Sequence, residues 1–271
     1  MTEYSGRRMR SPAGTRGEPE VEAAFDRLVS EGRERLGRPL LPLVATGVLG
    51  GIDVGIGVLA YLVVDEKTGQ PLLGAAAFTI GFIALLLARS ELFTENFLVP
   101  VTARVAGHGS WLQLARLWLV TLAANLAGGL AMAGMIMVSM PDLRPAAATL
   151  GRHYATLGVS WRSLLLAVLA GVVITLLTRM QHASDDLGPK LVAAVAMSFV
   201  LVAAQLFHSV LDSILMFAGL FSGRAGYTWA DWARALAWSG LGNIIGGVGL
   251  VTSIRLLRVP HRVEEERAGQ H

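Results

Sequence analysis

The chain has 271 residues, of which 53% are hydrophobic and 16% are charged, with a formal net charge of +3. An average soluble domain is about 25% charged, and several apolar runs here reach the roughly 20 residues that cross a bilayer, so the composition predicts an integral membrane protein. The absence of cysteine excludes disulfides, thiolate metal sites and cysteine nucleophiles, and no basic stretch interleaved with aromatic residues indicates nucleic-acid binding.

The first segments precede the membrane domain. Residues 1–17 are rich in glycine, serine and arginine, which is typical of a disordered cytoplasmic tail. Residues 18–38 are predicted to form an amphipathic helix on the cytoplasmic membrane surface, or one that packs under the domain, and the two interpretations are compatible. No cleavable signal peptide precedes them, so we expect insertion through the first span. Residues 259–271 are expected to be a second cytoplasmic tail.

Residues 39–258 are predicted to form an all-α channel domain with six transmembrane helices, of which the second and fifth are broken. The predicted spans are Leu40–Val64, Leu72–Ala88, Leu117–Met140, Ser163–Thr178, the run that begins at Leu191, and Ala235–Ile254. Asp53 is an isolated acid in the first span, and it either lines a polar cavity or pairs with an arginine of a neighbouring helix. A polar loop from Pro141 to Ser160 is expected to join the halves.

The second and fifth spans are interrupted by polar residues. Charged residues and Pro100 follow the second apolar run, which would break a helix there. His208 interrupts the fifth span and is the only one of six histidines inside an apolar segment. A titratable ring at bilayer depth indicates a functional site. A neutral histidine that hydrogen-bonds a neighbouring helix is the alternative.

The two halves match each other. Apolar runs of 17 residues start at positions 72 and 191, Leu-Phe-Thr ends at Thr94 where Leu-Phe-His ends at His208, and Asn-x-x-Gly-Gly starts at Asn125 and Asn243. Three spans in each half would make the repeat inverted. With both termini inside, 17 of the 23 basic residues lie in cytoplasmic segments, as the positive-inside rule requires.

Broken helices at corresponding places of an inverted repeat indicate a transport site near the midplane. The breaks, predicted at Glu91–Asn96 and Phe207–Asp212, should therefore face each other across a pore. Thr94 and His208 would approach each other from equivalent points. Apolar side chains beside them would form constrictions that exclude hydrated ions. Those predicted constriction residues are Leu92, Phe93, Leu206 and Phe207.

These motifs resemble the formate/nitrite transporter family over roughly residues 20–258. The residues that carry the resemblance are Glu91-Leu92-Phe93-Thr94-x-Asn96, Phe207-His208-Ser209 and Gly242-Asn243-x-x-Gly246-Gly247. The resemblance implies an aquaporin-like six-helix protomer in a homopentamer in the inner membrane, with one pore in each protomer. It also implies a small monovalent weak-acid anion as substrate, such as formate, nitrite, hydrosulfide, acetate or lactate, often with a proton.

The resemblance also implies roles for individual residues. Thr94 would hydrogen-bond the central His208, Leu92 and Phe93 would form the inner constriction, and Phe207 would belong to the outer one. Asn125 and Asn243 would orient the loop backbone or line the substrate path with Ser209. Desolvation near the constrictions would raise the pKa of the anion, which could then cross as the neutral acid. His208 could donate that proton or only polarise the path.

Three positions depart from the family pattern. Glu95 replaces a small residue after the threonine, Asp212 stands where asparagine is common, and Arg162 could supply the cation of a lysine that is not evident. The two acids favour a neutral-solute channel on the same scaffold as an alternative.

Two functions outside transport also fit a polar group inside an apolar segment. One is an intramembrane enzyme that uses His208, Asp212, Asp53 or Glu91, and the other is a structural membrane scaffold. No helical metal pattern or nucleophile elbow supports the enzyme, so we expect neither catalytic activity, nor metal, nor cofactor. The scaffold does not account for matching interruptions in the two halves.

Overall fold

The computed structural model describes residues 19–269, and these are arranged almost entirely in helices. The predicted disordered tail, residues 1–17, lies outside the described residues. The helices are α1 (Pro19–Gly37), α2 (Leu40–Thr68), α3 (Pro71–Ala88), α4 (Val99–Val105), α5 (Trp111–Ser139), α6 (Arg144–Leu157), α7 (Trp161–Gln181), α8 (Leu187–Ala203), α9 (Ser209–Phe221), α10 (Trp229–Ile244), α11 (Ser253–Leu256) and α12 (Pro260–Ala268). Short 3₁₀ helices cover Phe93–Phe97 and Pro141–Leu143, and a π-helix over Ile245–Thr252 joins α10 to α11.

Among the described residues, five helical stretches are long and apolar enough to cross a membrane: α2, α3, α5, α7 and Trp229–Leu256. The apolar helices α8 and α9 are shorter, with 17 and 13 residues, and follow each other across residues 204–208. An all-α integral membrane fold is therefore confirmed.

Local sequence signals fix several helix starts. The side chains of Ser110, Ser160 and Thr228 each accept a hydrogen bond from the backbone three residues later, and each forms a capping box. Such caps satisfy N–H groups that the first helical turn leaves unpaired. Three spans, α5, α7 and α10, therefore begin within one residue of a polar cap, a few residues before their apolar runs.

Two predicted boundaries are wrong. The expected loop from Pro141 to Ser160 contains helix α6, which packs on α9 through a buried face that includes Gly151 and Tyr154. The second break is predicted to extend to Asp212, but α9 already begins at Ser209 because His208 caps it. Asp212 thus lies in the first turn of a helix.

Within each half, two helices approach closely at a glycine, which has no side chain to separate them. A Cβ atom on Gly51 would lie 2.1 Å from the carbonyl oxygen of Asn125, and a Cβ on Gly171 would lie 2.1 Å from that of Asn243. Any larger residue would push α2 from α5 or α7 from α10. The contact at Gly51 therefore places Asn125 against α2, and the contact at Gly171 places Asn243 against α7.

Helices α1 and α12 cover one end of the bundle. Phe25, Val29 and Val263 are buried in one cluster with Ala106 and Val259. At Gly32 an added Cβ would lie 2.5 Å from the carbonyl oxygen of residue 99, so α1 rests directly on α4. The predicted tail after position 258 therefore contains a packed helix, α12. Helix α1 packs under the domain, which is one of the two interpretations given for residues 18–38.

Candidate functional site

The first interruption begins at the end of α3. Arg89 adopts a left-handed backbone conformation with φ of 54°, and the N–H of Ser90 returns to the carbonyl of Leu85. The N–H of Glu91 then donates to the carbonyl of Thr46 on α2. The chain leaves the helix here because its next backbone partner belongs to a neighbouring helix.

Asn125 of α5 holds this interruption in place. Its Oδ1 accepts from the N–H of Phe93 at 2.8 Å, and its Nδ2 donates to the carbonyls of Gly47 at 2.7 Å and Glu91 at 2.8 Å. The side chain is completely buried. Irregular backbone at membrane depth needs such internal partners, because the bilayer core supplies none.

The second interruption has the same construction. Gln205 is left-handed with φ of 48°, the N–H of Leu206 returns to Leu201, and the N–H of Phe207 donates to Leu166 of α7. Asn243 of α10 accepts from the N–H of Ser209 at 2.9 Å. Its amide also donates to the carbonyls of Ala167 at 2.9 Å and Phe207 at 3.0 Å.

These matched hydrogen bonds correct the register of the repeat. Glu91 and Phe207 both donate to the preceding span, and residues 93 and 209 both donate to an asparagine, so equivalent positions in the interruptions are 116 residues apart. His208 is therefore equivalent to Leu92, and Thr94 is equivalent to Val210. The expectation that Thr94 and His208 occupy equivalent points is therefore wrong. It came from aligning the Leu-Phe pair of one interruption with the Leu-Phe pair of the other, which gives an offset of 114 residues instead of 116.

The structure nevertheless brings Thr94 and His208 together. The Oγ1 of Thr94 lies 2.9 Å from Nε2 of His208, and both side chains are completely buried. The Nδ1 of His208 accepts from the N–H of Leu211 at 3.1 Å, because the ring caps α9. In a neutral ring the proton must then sit on Nε2, which donates to Thr94.

Asp212 supports the same cap from one turn further along α9. Its Oδ2 accepts from the backbone N–H of His208 at 2.6 Å, while its Oδ1 is buried without a hydrogen-bond partner among the described residues. The hydroxyl of Ser209 is also buried and unpaired there. Two orphaned oxygens thus lie within four residues of the histidine.

Apolar and aromatic side chains surround the pair. Leu92, Phe93, Leu206 and Phe207 are all buried in one cluster. The ring of Phe93 meets the edge of Phe97 at 5.0 Å between centroids, and Phe207 stacks on Tyr154 of α6 at 6.2 Å. Sequence patterns do not indicate this role for Tyr154, because they predict a loop for its segment.

A charged network joins α1 to the first interruption. Arg38 lies 2.5 Å from the buried carboxylate of Glu91, and Arg35 lies 3.7 Å from it. Arg35 also donates to Oδ1 of Asn96 at 2.9 Å. Glu95 is buried nearby, within electrostatic reach of Arg35. No local pattern indicates these pairs, because Arg38 and Glu91 are 53 positions apart.

Glu31 extends this network to the end of α7. Its carboxylate lies 2.5 Å from Arg35 and 2.9 Å from Nε2 of His182. Burial raises the pKa of Glu31, but the hydrogen bonds and positive charges of His182 and Arg35 outweigh it and lower the pKa to about 2. The carboxylate is therefore ionised at neutral pH.

Two predicted residues lie apart from the pair. Arg162 is exposed in the first turn of α7. Asp53 is half-buried on α2, and its Oδ2 has no hydrogen-bond partner among residues 19–269. It makes no ion pair with an arginine of that range, which contradicts one of its two predicted roles.

Known proteins resemble this chain in sequence and in fold. A family model described as formate/nitrite transporter matches residues 22–257. The formate channel BtFdhC of Bacillus thuringiensis is 25% identical over 244 residues, which cover 85% of this chain and 92% of that protein. A solved structure titled "FNT family ion channel" has a TM-score of 0.79 at 21% identity, covering 89% of this chain and 99% of its own. One titled "Pentameric formate channel with formate bound" has a TM-score of 0.67 at 20% identity, with coverages of 80% and 96%. The chain therefore belongs to the formate/nitrite transporter family.

Proposed function

We propose that this protein is a channel for small monovalent weak-acid anions, with formate and nitrite as the first candidates. The observation that carries the proposal is the buried contact between Thr94 and His208, at the meeting point of two interrupted helices in a member of this family. Leu92, Phe93, Leu206 and Phe207, the chain neighbours of the pair, belong to one buried apolar cluster, so a hydrated ion would lose its water there.

In the proposed mechanism the anion crosses the dry section as the neutral acid. Leu92 and Phe93 form the inner constriction, and Leu206 and Phe207 form the outer one. Desolvation between them raises the pKa of the substrate, which takes up a proton from the water at the pore entrance before it passes.

His208 acts as a neutral hydrogen-bond donor in this mechanism. A proton on Nδ1 would remove the bond from Leu211 and place a cation at the positive end of α9. These costs favour polarisation of the substrate by Nε2–H over transfer of a proton from the ring. Thr94 holds that donor when no substrate is present.

A neutral-solute channel is the second candidate. Glu95 and Asp212 are both buried near the pair, and ionised carboxylates there would repel an anion. Arg35 and Arg38 offset the acids at the inner end only. The two functions differ in whether a solute without charge, such as urea, permeates better than formate.

The deciding experiment is flux into proteoliposomes of the purified protein, with formate, nitrite, acetate, hydrosulfide, urea and glycerol at mildly acidic and neutral pH. We expect anion uptake that is faster at acidic pH, and loss of uptake in His208→Ala and Thr94→Val. Thr102→Val is the matched control, because Thr102 is equally buried and its hydroxyl has no partner among the described residues. Urea flux without anion flux would select the second candidate, and unchanged uptake in His208→Ala would refute the proposed site.

Assembly and orientation belong to the same proposal. We infer a homopentamer in the inner membrane, because one structural neighbour is titled a pentameric channel and large apolar residues are exposed along α2, α3 and α5. Light scattering should give five times the chain mass of 28.8 kDa.

Both termini are proposed to lie in the cytoplasm, with α1 covering the inner end of a channel domain over residues 39–258. The chain has no cysteine, so single cysteines can report its orientation. Glu34→Cys on α1 should react from the cytoplasmic side and Thr149→Cys on α6 from the opposite side. The reverse pattern would refute the orientation.

A further inference from the structure

Four arginines gather where two spans end beside α1. Arg179 lies in the last turn of α7, and Arg255 lies in α11 at the end of the last span. The guanidinium of Arg255 is within electrostatic reach of Arg179, Arg258 and Arg27. Like charges held this close repel each other, so the arrangement favours an anion between them.

Among the described residues, two of these arginines have no anionic partner. Neither Arg179 nor Arg255 makes a side-chain hydrogen bond or ion pair with any residue between 19 and 269. Arg27 donates to the carbonyl of His182 at 3.1 Å, and its Nε is buried without a partner among those residues. Its carboxylate neighbour, Asp185, lies 3.9 Å away and is 82% exposed, which makes it a weak counter-ion.

The helix dipole accounts for only part of the cluster. Cations near the C-terminal ends of α7 and α11 interact favourably with the partial negative charge there. That effect explains one arginine in each last turn. It does not explain why α1 adds a third guanidinium that is fixed toward the same place by the bond of Arg27 to the end of α7.

Apolar side chains beside the arginines indicate where the anion comes from. Ile254 and Leu257 flank Arg255 and are 60% and 77% exposed, and Leu250 and Met180 are also exposed at the same ends of the spans. An acyl chain could lie along these residues while its head group meets the guanidinium groups. A soluble phosphate would use only the arginines and leave the apolar surface uncovered.

We propose that Arg27, Arg179 and Arg255 form a binding site for the phosphate head group of an anionic phospholipid, whose acyl chains contact Leu250, Ile254 and Leu257. Guanidinium groups suit this role because they bind phosphate oxygens in a bidentate manner. The site lies on the face of the protein that carries α1 and α12. It is separate from the pair of Thr94 and His208, so its test does not depend on the proposed substrate.

The test is native mass spectrometry of the purified full chain, titrated with phosphatidylglycerol, cardiolipin or phosphatidylcholine. We expect the anionic lipids to bind more tightly than the neutral one. The double variant Arg179→Gln/Arg255→Gln should bind anionic lipid about thirtyfold more weakly, because each basic residue near an anionic head group contributes about fivefold. Arg234→Gln is the matched control, since Arg234 is exposed at the opposite end of α10 and has the same charge.

Each result either supports or overturns the proposal. The single variant Arg179→Gln, which changes an exposed side chain, gives a smaller expected loss of about fivefold and keeps the test valid if the double variant does not assemble. Inorganic phosphate that displaces the lipid completely at low concentration would show a free-phosphate site and overturn the lipid assignment. Equal binding of neutral and anionic lipids, or unchanged binding in the double variant, would overturn the site itself.

Discussion

Asn125 and Asn243 should contribute almost equally to the stability of the protein, because their hydrogen bonds match one for one. Each amide oxygen accepts from one backbone N–H of an interruption, and each amide nitrogen donates to two carbonyls. Replacing either by alanine removes three bonds in a region without water. At about 0.6 kcal/mol for each bond in a membrane, plus about 1–3 kcal/mol for one buried N–H left unpaired, the cost is about 3–5 kcal/mol.

The assay is unfolding of Asn125→Ala and Asn243→Ala by dodecyl sulfate in mixed micelles, followed by helix content, with formate flux measured in parallel. Thr121→Ala is the control on α5, because its buried hydroxyl has no partner among the described residues. Ser239→Ala is the control on α10, since this hydroxyl bonds only carbonyls of its own helix. Both controls should cost about 1 kcal/mol or less.

Two results would refute this reasoning. A large loss for Asn125→Ala with a small loss for Asn243→Ala would show that the matched bonds are not energetically matched. A loss no greater than that of the controls for both variants would show that the interruptions are held by packing alone. In either case the register of 116 residues would remain a geometric fact without the energetic role that we assign to it.

Three further predictions concern charge. Asp212→Asn keeps an acceptor for the N–H of His208 and removes a group that can ionise, so anion flux in proteoliposomes should rise roughly tenfold over urea flux at a pH where Asp212 is charged. Glu95→Gln should change the same ratio in the same direction, and a fall in either variant would contradict repulsion by these acids. The pKa of Glu31 is lowered to about 2, so its carboxylate stabilises the folded protein above its ordinary pKa and loses that effect as pH falls towards 2. Glu31→Gln should therefore flatten the acid side of the melting-temperature profile, whereas exposed Glu34→Gln should leave it unchanged.

Sequence patterns predict the membrane class and the approximate spans because these depend on apolar length alone. The polar interruptions near Thr94 and His208 are visible for a related reason, since charged or titratable residues are rare in apolar runs. Helix α6 escapes prediction because its 14 residues are not uniformly apolar and begin with Arg144 and Pro145, although its buried residues recur at helical spacing. The contact of Arg38 with Glu91 escapes it because pairs distant in sequence leave no local pattern.

The corrected register explains how a symmetric scaffold can hold an asymmetric site. The backbone bonds of the two interruptions are equivalent, but His208 occupies the position of Leu92, and Thr94 occupies that of Val210. Each half therefore supplies one polar group where the other supplies an apolar one. Because His208 caps α9 and Thr94 lies two residues beyond the equivalent cap position, their side chains meet in a single hydrogen bond. A symmetric pair of histidines would put two like ionisable rings at membrane depth, whereas this arrangement needs only one neutral donor with one acceptor.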